Sequence, residues 1–207
     1  MLFFLILTLI SFNFVSANKS EYNLELLGKV IYIDPGTVYK DIYEKDINLE
    51  ICLKLQKVLE SEGAIVYLTR YGDYDLSNKS YSRKKSDLNN RVKIINESNA
   101  DIYISIHLNS INSTIWRGAQ VFYDDINIKN KEIANLFQEQ LKLDLKTTRT
   151  VKEISTMLMN RKIIIPGILI EAGFLSNPND RYLLRQDDYQ YKICNSIRNG
   201  LIKYFKQ

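Results

Sequence analysis

Beyond residue 17 the chain alternates short runs of β-branched and aromatic residues with longer segments in which apolar residues recur every three or four positions. Lys29 to Ile33 (KVIYI) reads as a strand broken by the turn Asp34-Pro35-Gly36. From Lys45 to Glu62, the apolar residues Ile47, Ile51, Leu55, Val58 and Leu59 follow helical spacing, and Gly63 is placed to cap that helix. Ala64 to Thr69 (AIVYLT) is a second strand, followed by a polar stretch from Arg70 to about Ser82. Leu88, Val92 and Ile95 share one face of a helix that ends near Asn99. Asp101 to His107 (DIYISIH) and Gly118 to Tyr123 read as the third and fourth strands. Ile133, Leu136, Phe137, Gln140 and Leu141 mark another helix. Ile163 to Glu171 (IIIPGILIE) is a turn at Pro166-Gly167 feeding a buried strand, and Tyr189 to Phe205 is a closing helix with Ile193, Ile197, Leu201 and Tyr204 inward.

Strands alternating with helices predict a single α/β domain over about residues 29–206, with a mostly parallel twisted sheet flanked by helices. In such sheets functional residues gather beyond the carboxyl ends of the strands. That rule selects Asp34, Arg70, His107 and Glu171, with Glu44 opening the first helix.

Composition narrows the partners. The 207 residues suit one domain, and eight Gly and three Pro exclude collagen-like or low-complexity character. Net charge is +4, and the 14 Tyr are scattered with no Lys/Arg-interleaved block, so no nucleic-acid partner is expected. Cys52 and Cys194 match no paired-thiolate zinc spacing and read as small apolar residues inside helices. His107 is the one histidine, which rules out a site built from several histidines of one chain. Residues 1–17 (MLFFLILTLISFNFVSA) carry no charged side chain, and Val15-Ser16-Ala17 resembles a cleavage site. The run is shorter than the ~20 residues of a membrane span, so a removed secretion signal is expected, with an uncleaved membrane anchor as the alternative. Either way the protein is exported, to the cell wall or extracellular face, or stays membrane-anchored.

Each candidate also has a plain structural explanation. Asp34 before Pro-Gly suits a turn, Glu44 suits the positive end of a helix dipole, and His107 could be a hydrogen-bonded strand-end residue. Glu171 is harder to place this way. It sits between Gly-Ile-Leu-Ile and Ala-Gly-Phe, where a carboxylate needs a partner, a metal or a proton. One imidazole with carboxylates on neighbouring strand ends is the donor set of a hydrolytic zinc site.

These residues fall within motifs that resemble zinc-dependent N-acetylmuramoyl-L-alanine amidases of the Amidase_3 type, including the spore-germination enzymes. The markers are VIYIDPG (30–36), EKDINL (44–49), GAIVYLTR (63–70), NNRVKIIN (89–96), NADIYISIHLNS (99–110), GAQVFY (118–123) and IPGILIEAGFLSNPND (165–180). The resemblance implies cleavage of the amide between the lactyl group of N-acetylmuramic acid and L-alanine of the stem peptide in peptidoglycan. It implies one zinc ion per chain, with Glu44 and His107 as two of its ligands and Glu171 as the catalytic residue. Asn109, Arg70 and Arg91 match family positions that are structural or substrate-facing. With no wall-binding repeat after Gln207, targeting is expected from the groove, an anchor or a partner protein.

One departure from the family pattern falls on the metal. The family reads DPGHGG, and its first zinc ligand is that His; here Thr37-Val38-Tyr39-Lys40 follows Asp34-Pro35-Gly36. The pattern is that of a deletion between two similar triplets. Asp34 or Asp41 could supply the third donor, at roughly 2.0–2.2 Å from zinc, whereas the neutral Thr37 hydroxyl is a poor substitute. The alternative to an active amidase is therefore an impaired relative that binds muropeptide or regulates a partner. A zinc peptidase or deacetylase, suggested by the generic site alone, ranks third.

Overall fold

A computed structural model describes residues 24–36, 42–78, 82–155 and 159–207. The segment 1–17, assigned above to a signal or anchor, and Thr37 and Asp41 of the shortened loop lie outside the described residues. Six strands form one sheet in the order β2-β1-β3-β6-β4-β5. They are β1 (Val30–Pro35), β2 (Ile65–Leu68), β3 (Ile102–Asn109), β4 (Gln120–Tyr123), β5 (Lys152–Glu153) and β6 (Gly167–Phe174). All neighbouring pairs are parallel except β4 with β6. The α/β architecture read from the sequence is the one observed. Five α-helices accompany the sheet: α1 (Ile42–Glu60), α2 (Arg83–Asn96), α3 (Asn130–Leu145), α4 (Pro178–Leu184) and α5 (Asp187–Phe205). The very short β5 and the one-helix insertion α4 carry too few residues to show a period, and only the structure reveals them.

The two faces of the sheet are covered unequally, and this places the site. Ile31, Ile33, Ile104, Ile106, Ile168 and Ile170 point to one face, where α1, α3 and α5 bury them through Ile51, Leu55, Phe137, Ile193 and Ile197. Cys52 and Cys194 sit in that layer as free, buried thiols. Alternate residues of the same strands, Tyr32 and Tyr103, point to the other face and meet Val92 and Ile95 of α2 with Met159 and Ile163. Among the described residues α2 is the one α-helix that contributes to that second cluster.

The chain leaves β1 for β2 on one side and later returns to β3 on the other, so the strand order reverses around β1. Such reversals create a crevice at the carboxyl ends of the two strands, because consecutive helices must diverge to opposite faces. Gly36 and His107 stand at that crevice. A Cβ added to Gly36 would come within 2.7 Å of three ring atoms of His107, so only glycine lets the imidazole lie flat against the end of β1. Gly63, at φ +86°, ends α1 as its place in the sequence indicates.

Candidate active site

Strand register lines up the central residues. His107 on β3 is paired with Glu171 on β6, and Glu171 with Gln120 on β4. Residues paired across adjacent strands project from the same face, so the three side chains form a row across the sheet. Glu44, in the first turn of α1, reaches this row from above, with its Oε1 3.7 Å from His107 Nδ1. That separation is too long for a hydrogen bond, so the attraction is between charges.

The environment shifts both acid–base groups. Burial raises the Glu171 carboxyl, the neighbouring Glu44 charge adds to the rise, and His107 only partly offsets it; the result is a pKa of about 7. Glu171 Oε2 is buried and has no hydrogen-bond partner among the described residues. Burial depresses His107, but the carboxylates of Glu44, Glu171 and Asp34 outweigh it and the imidazole is raised above its usual value. Its side chain is 18% exposed, so the crevice opens to solvent at this point.

The other predicted residues fall into two groups. Asp34 is 2% exposed and its carboxylate is fully engaged. Oδ1 accepts from Thr69 Oγ1 at 2.6 Å and Arg91 Nη1 at 2.7 Å, and Oδ2 accepts from Ser105 Oγ at 2.8 Å. Asp34, named above as a possible substitute metal ligand, is thus engaged in an internal ion pair with Arg91. Burial works to raise its carboxyl, yet Arg91 and the hydroxyl donors prevail and hold it below the usual carboxylate range.

Arg70 and Arg91, expected to be structural or substrate-facing, are each 1% exposed, and the contacts described for them are internal. Arg91 bridges Asp34 and Asp87. Arg70 donates to the carbonyls of Pro35, Gly36, Gly72 and Lys45 at 2.7–3.2 Å. It ties the end of β1 to the first turn of α1 across the 37–41 segment, and so fixes where Glu44 starts. Asn109 remains at the open edge, half-buried at the end of β3, where its carbonyl accepts from Leu175 N at 2.8 Å.

Several residues that shape the crevice are not singled out by the sequence pattern. Asn177 caps α4 by accepting from the backbone of Asn179 and Asp180, and its amide donates to Thr114 O at 2.6 Å. Asp180 Oδ2 accepts from Gly118 N at 2.7 Å and Phe174 N at 3.0 Å. Together they clamp the β3–β4 loop, which carries Trp116, to the end of β6. The Asn-Pro pair before a short helix is the one legible signal of this clamp.

Glu44 and His107 have the spacing and donor atoms of a metal-binding pair. Two ligands of one tetrahedral zinc, each about 2.0–2.1 Å from it, stand roughly 3.3 Å apart. The 3.7 Å pair is close to that geometry, and it offers the nitrogen and oxygen donors zinc accepts. The unpartnered Glu171 oxygen lies on the strand beside it. The pair fits. Among the described residues no three His, Cys, Asp or Glu side chains converge on a single metal position.

A buried carboxylate beside an imidazole–carboxylate pair, at the strand-order reversal of a mainly parallel sheet, defines a hydrolase-type centre. The chain belongs to the N-acetylmuramoyl-L-alanine amidase family (Amidase_3), which residues 31–203 match. The germination-specific N-acetylmuramoyl-L-alanine amidase of Bacillus subtilis is 42% identical, covering 99% of this chain and 92% of that one. That alignment runs over 219 positions, longer than the chain itself, so the relative carries residues with no counterpart here. The CwlD amidase of Clostridioides difficile, solved in complex with the GerS lipoprotein, superposes with a TM-score of 0.79 at 38% identity, covering 86% of this chain and 99% of that one. The catalytic domain of the CwlV amidase of Bacillus (Paenibacillus) polymyxa gives a TM-score of 0.74 at 28% identity, covering 86% and 98%.

Proposed function

We propose that this chain hydrolyses peptidoglycan at the amide between the lactyl group of N-acetylmuramic acid and L-alanine of the stem peptide. Glu44 and His107 are two ligands of a zinc ion in this reading, and Glu171 is the proton-transfer residue. The observation that carries it is Glu171 itself: a carboxyl with a pKa of about 7 and one oxygen free, in register with His107. Bound zinc supplies Lewis-acid polarisation of the amide carbonyl and makes water more acidic.

Glu171 then accepts a proton from the attacking water and returns it to the nitrogen of the departing L-alanine. Its burial beside His107, with one oxygen unpartnered among the described residues, suits a group that takes and then releases a proton. Glu44 faces the His107 ring at 3.7 Å, and Gly36 leaves room for that ring at the end of β1. Asn109, half-buried at the end of β3, meets the substrate in this reading. Export through residues 1–17, cleaved or retained as an anchor, belongs to the same reading, because the substrate lies outside the membrane. Among the described residues no helix is long and apolar enough to cross a membrane. The lipoprotein bound to the Clostridioides difficile relative supports a partner of that kind here.

A second reading is favoured by one observation: Thr37 stands where the family has its first histidine ligand. On that reading the chain is an impaired relative that binds muropeptide or regulates a partner. Zinc content and hydrolysis of purified peptidoglycan, measured on the same protein, separate the two. One zinc per chain, lost in His107→Ala, together with release of stem peptides that Glu171→Gln abolishes, establishes the amidase. Absence of zinc and of release establishes the impaired relative, and full hydrolysis by Glu171→Gln overturns the role given to that residue.

A further inference from the structure

Arg149 lies beside the row His107–Glu171–Gln120, and the reaction described above gives it no task. Its Nε and Nη2 both donate to Gln120 Oε1, at 3.0 and 2.5 Å. Gln120 is itself fixed, since its amide donates to Thr150 O at 2.8 Å. The guanidinium carbon stands 5.2 Å from the Trp116 ring and 5.4 Å from the Phe174 ring. Phe174 is buried at 2% exposure, whereas Trp116 is 50% exposed on the loop clamped by Asn177 and Asp180. Among the described residues this half-buried cation meets one neutral acceptor and two rings, and no carboxylate. Its Nη1 makes no hydrogen bond there, and the neighbouring Arg117 is exposed.

A planar cation held rigidly between aromatic faces, with a donor edge to spare and no counter-charge, is suited to a ligand carboxylate. The distance to the reaction centre says which one. Gln120 is one strand from Glu171, about 4.8 Å, and the two side chains project from one face, so the guanidinium bonded to Gln120 Oε1 lies within about 10 Å of the Glu171 carboxyl. Extended peptide advances about 3.3–3.6 Å per residue, so that span reaches past L-alanine to the next residues of the stem peptide. The stem peptide carries free carboxylates, while the hydroxyl and acetamido groups of the glycan are neutral.

We infer that Arg149, oriented by Gln120 and walled by Trp116, binds a free carboxylate of the stem peptide on the leaving-group side of the cleaved bond. The inference rests on the amidase reading and adds a specificity to it: stem peptides with an acidic second residue are preferred over those in which that carboxylate is amidated.

The test compares N-acetylmuramoyl-L-alanyl-D-glutamate with its α-amide, the γ-carboxyl being capped as the methylamide in both, on the zinc-loaded protein and on Arg149→Lys and Arg149→Gln. A ratio taken on one preparation does not depend on how much of it is folded, so a destabilised variant still answers. The unaltered protein should favour the acid about tenfold, chiefly through KM, the size of one charge-assisted hydrogen bond. Arg149→Lys should keep part of the preference and Arg149→Gln should bring the ratio near one. Equal turnover of both substrates by the unaltered protein, or an undiminished preference in Arg149→Gln, overturns the inference. If neither substrate is cleaved, the amidase reading falls, and calorimetric binding of the same pair decides the subsite alone. Acid-selective binding lost in Arg149→Gln upholds it, and unselective binding overturns it.

Discussion

Arg91 on α2 and Asp34 on β1, 57 residues apart in sequence, form a 2.7 Å ion pair with 1% and 2% of their side chains exposed. The pair sits behind the crevice, with the Thr69 and Ser105 hydroxyls completing the shell of Asp34. It fastens the helix on the sparsely covered face to the strand that ends at Gly36. A buried charge left without its partner is costly, because neither water nor another dipole replaces the lost contact.

Arg91→Met should therefore lower unfolding stability by about 3–5 kcal/mol, the usual cost of stripping one member from a buried pair. The same pair sets an acid limit. Asp34 is depressed in the folded protein, so its contribution is complete above the unfolded carboxylate pKa of about 3.9 and is lost as pH falls through the lower folded value. Denaturant midpoints between pH 6 and pH 2 should drop steeply at the acid end for the unaltered protein. The curve for Arg91→Met, which has lost the cation that depresses Asp34, should drop less steeply there.

Gly36→Ala addresses the close approach of strand end and imidazole. The new methyl would fall within 2.7 Å of three ring atoms of His107, so the ring must leave its present position beside Glu44. Zinc affinity should fall at least tenfold while the melting temperature shifts by only a few degrees, an overpacking cost of about 1–3 kcal/mol. Equilibrium dialysis against zinc alongside calorimetry reads both; unchanged affinity would show that the ring position does not matter.

Glu171→Gln should stabilise the zinc-free protein above neutrality. A carboxyl raised to about 7 opposes folding in its ionised form, so the cost grows as pH rises past the unfolded value and is complete above the folded one. The neutral amide removes that cost, a gain of about 2–3 kcal/mol at pH 8 and little at pH 4. Unfolding curves at the two pH values give the comparison, and equal gains at both would contradict the burial argument.

The sequence by itself determined the sheet and helices with strong periodicity. The isoleucine-rich strands and the long helices are legible because each buries one regular face, and burial writes its period into the chain. It also singled out Glu44, His107 and Glu171, since a carboxylate inside an apolar strand and a lone histidine at a strand end are conspicuous in one dimension, and the fold sets the three side by side. Charge alone could not sort Arg70 and Arg91 from substrate-facing residues. A buried arginine satisfied by carbonyls and a solvent-facing one look the same in sequence, and only the fold showed Arg70 stapling Gly36 to Lys45 and Arg91 neutralising Asp34. Register decided the rest. Gln120 and Glu171 are 51 residues apart and became neighbours because β4 pairs with β6 antiparallel, which set Arg149 and Trp116 on the flank of the crevice. Such adjacency comes from closing loops over long distances, where hydrogen-bond geometry, and no local pattern, chooses the partner.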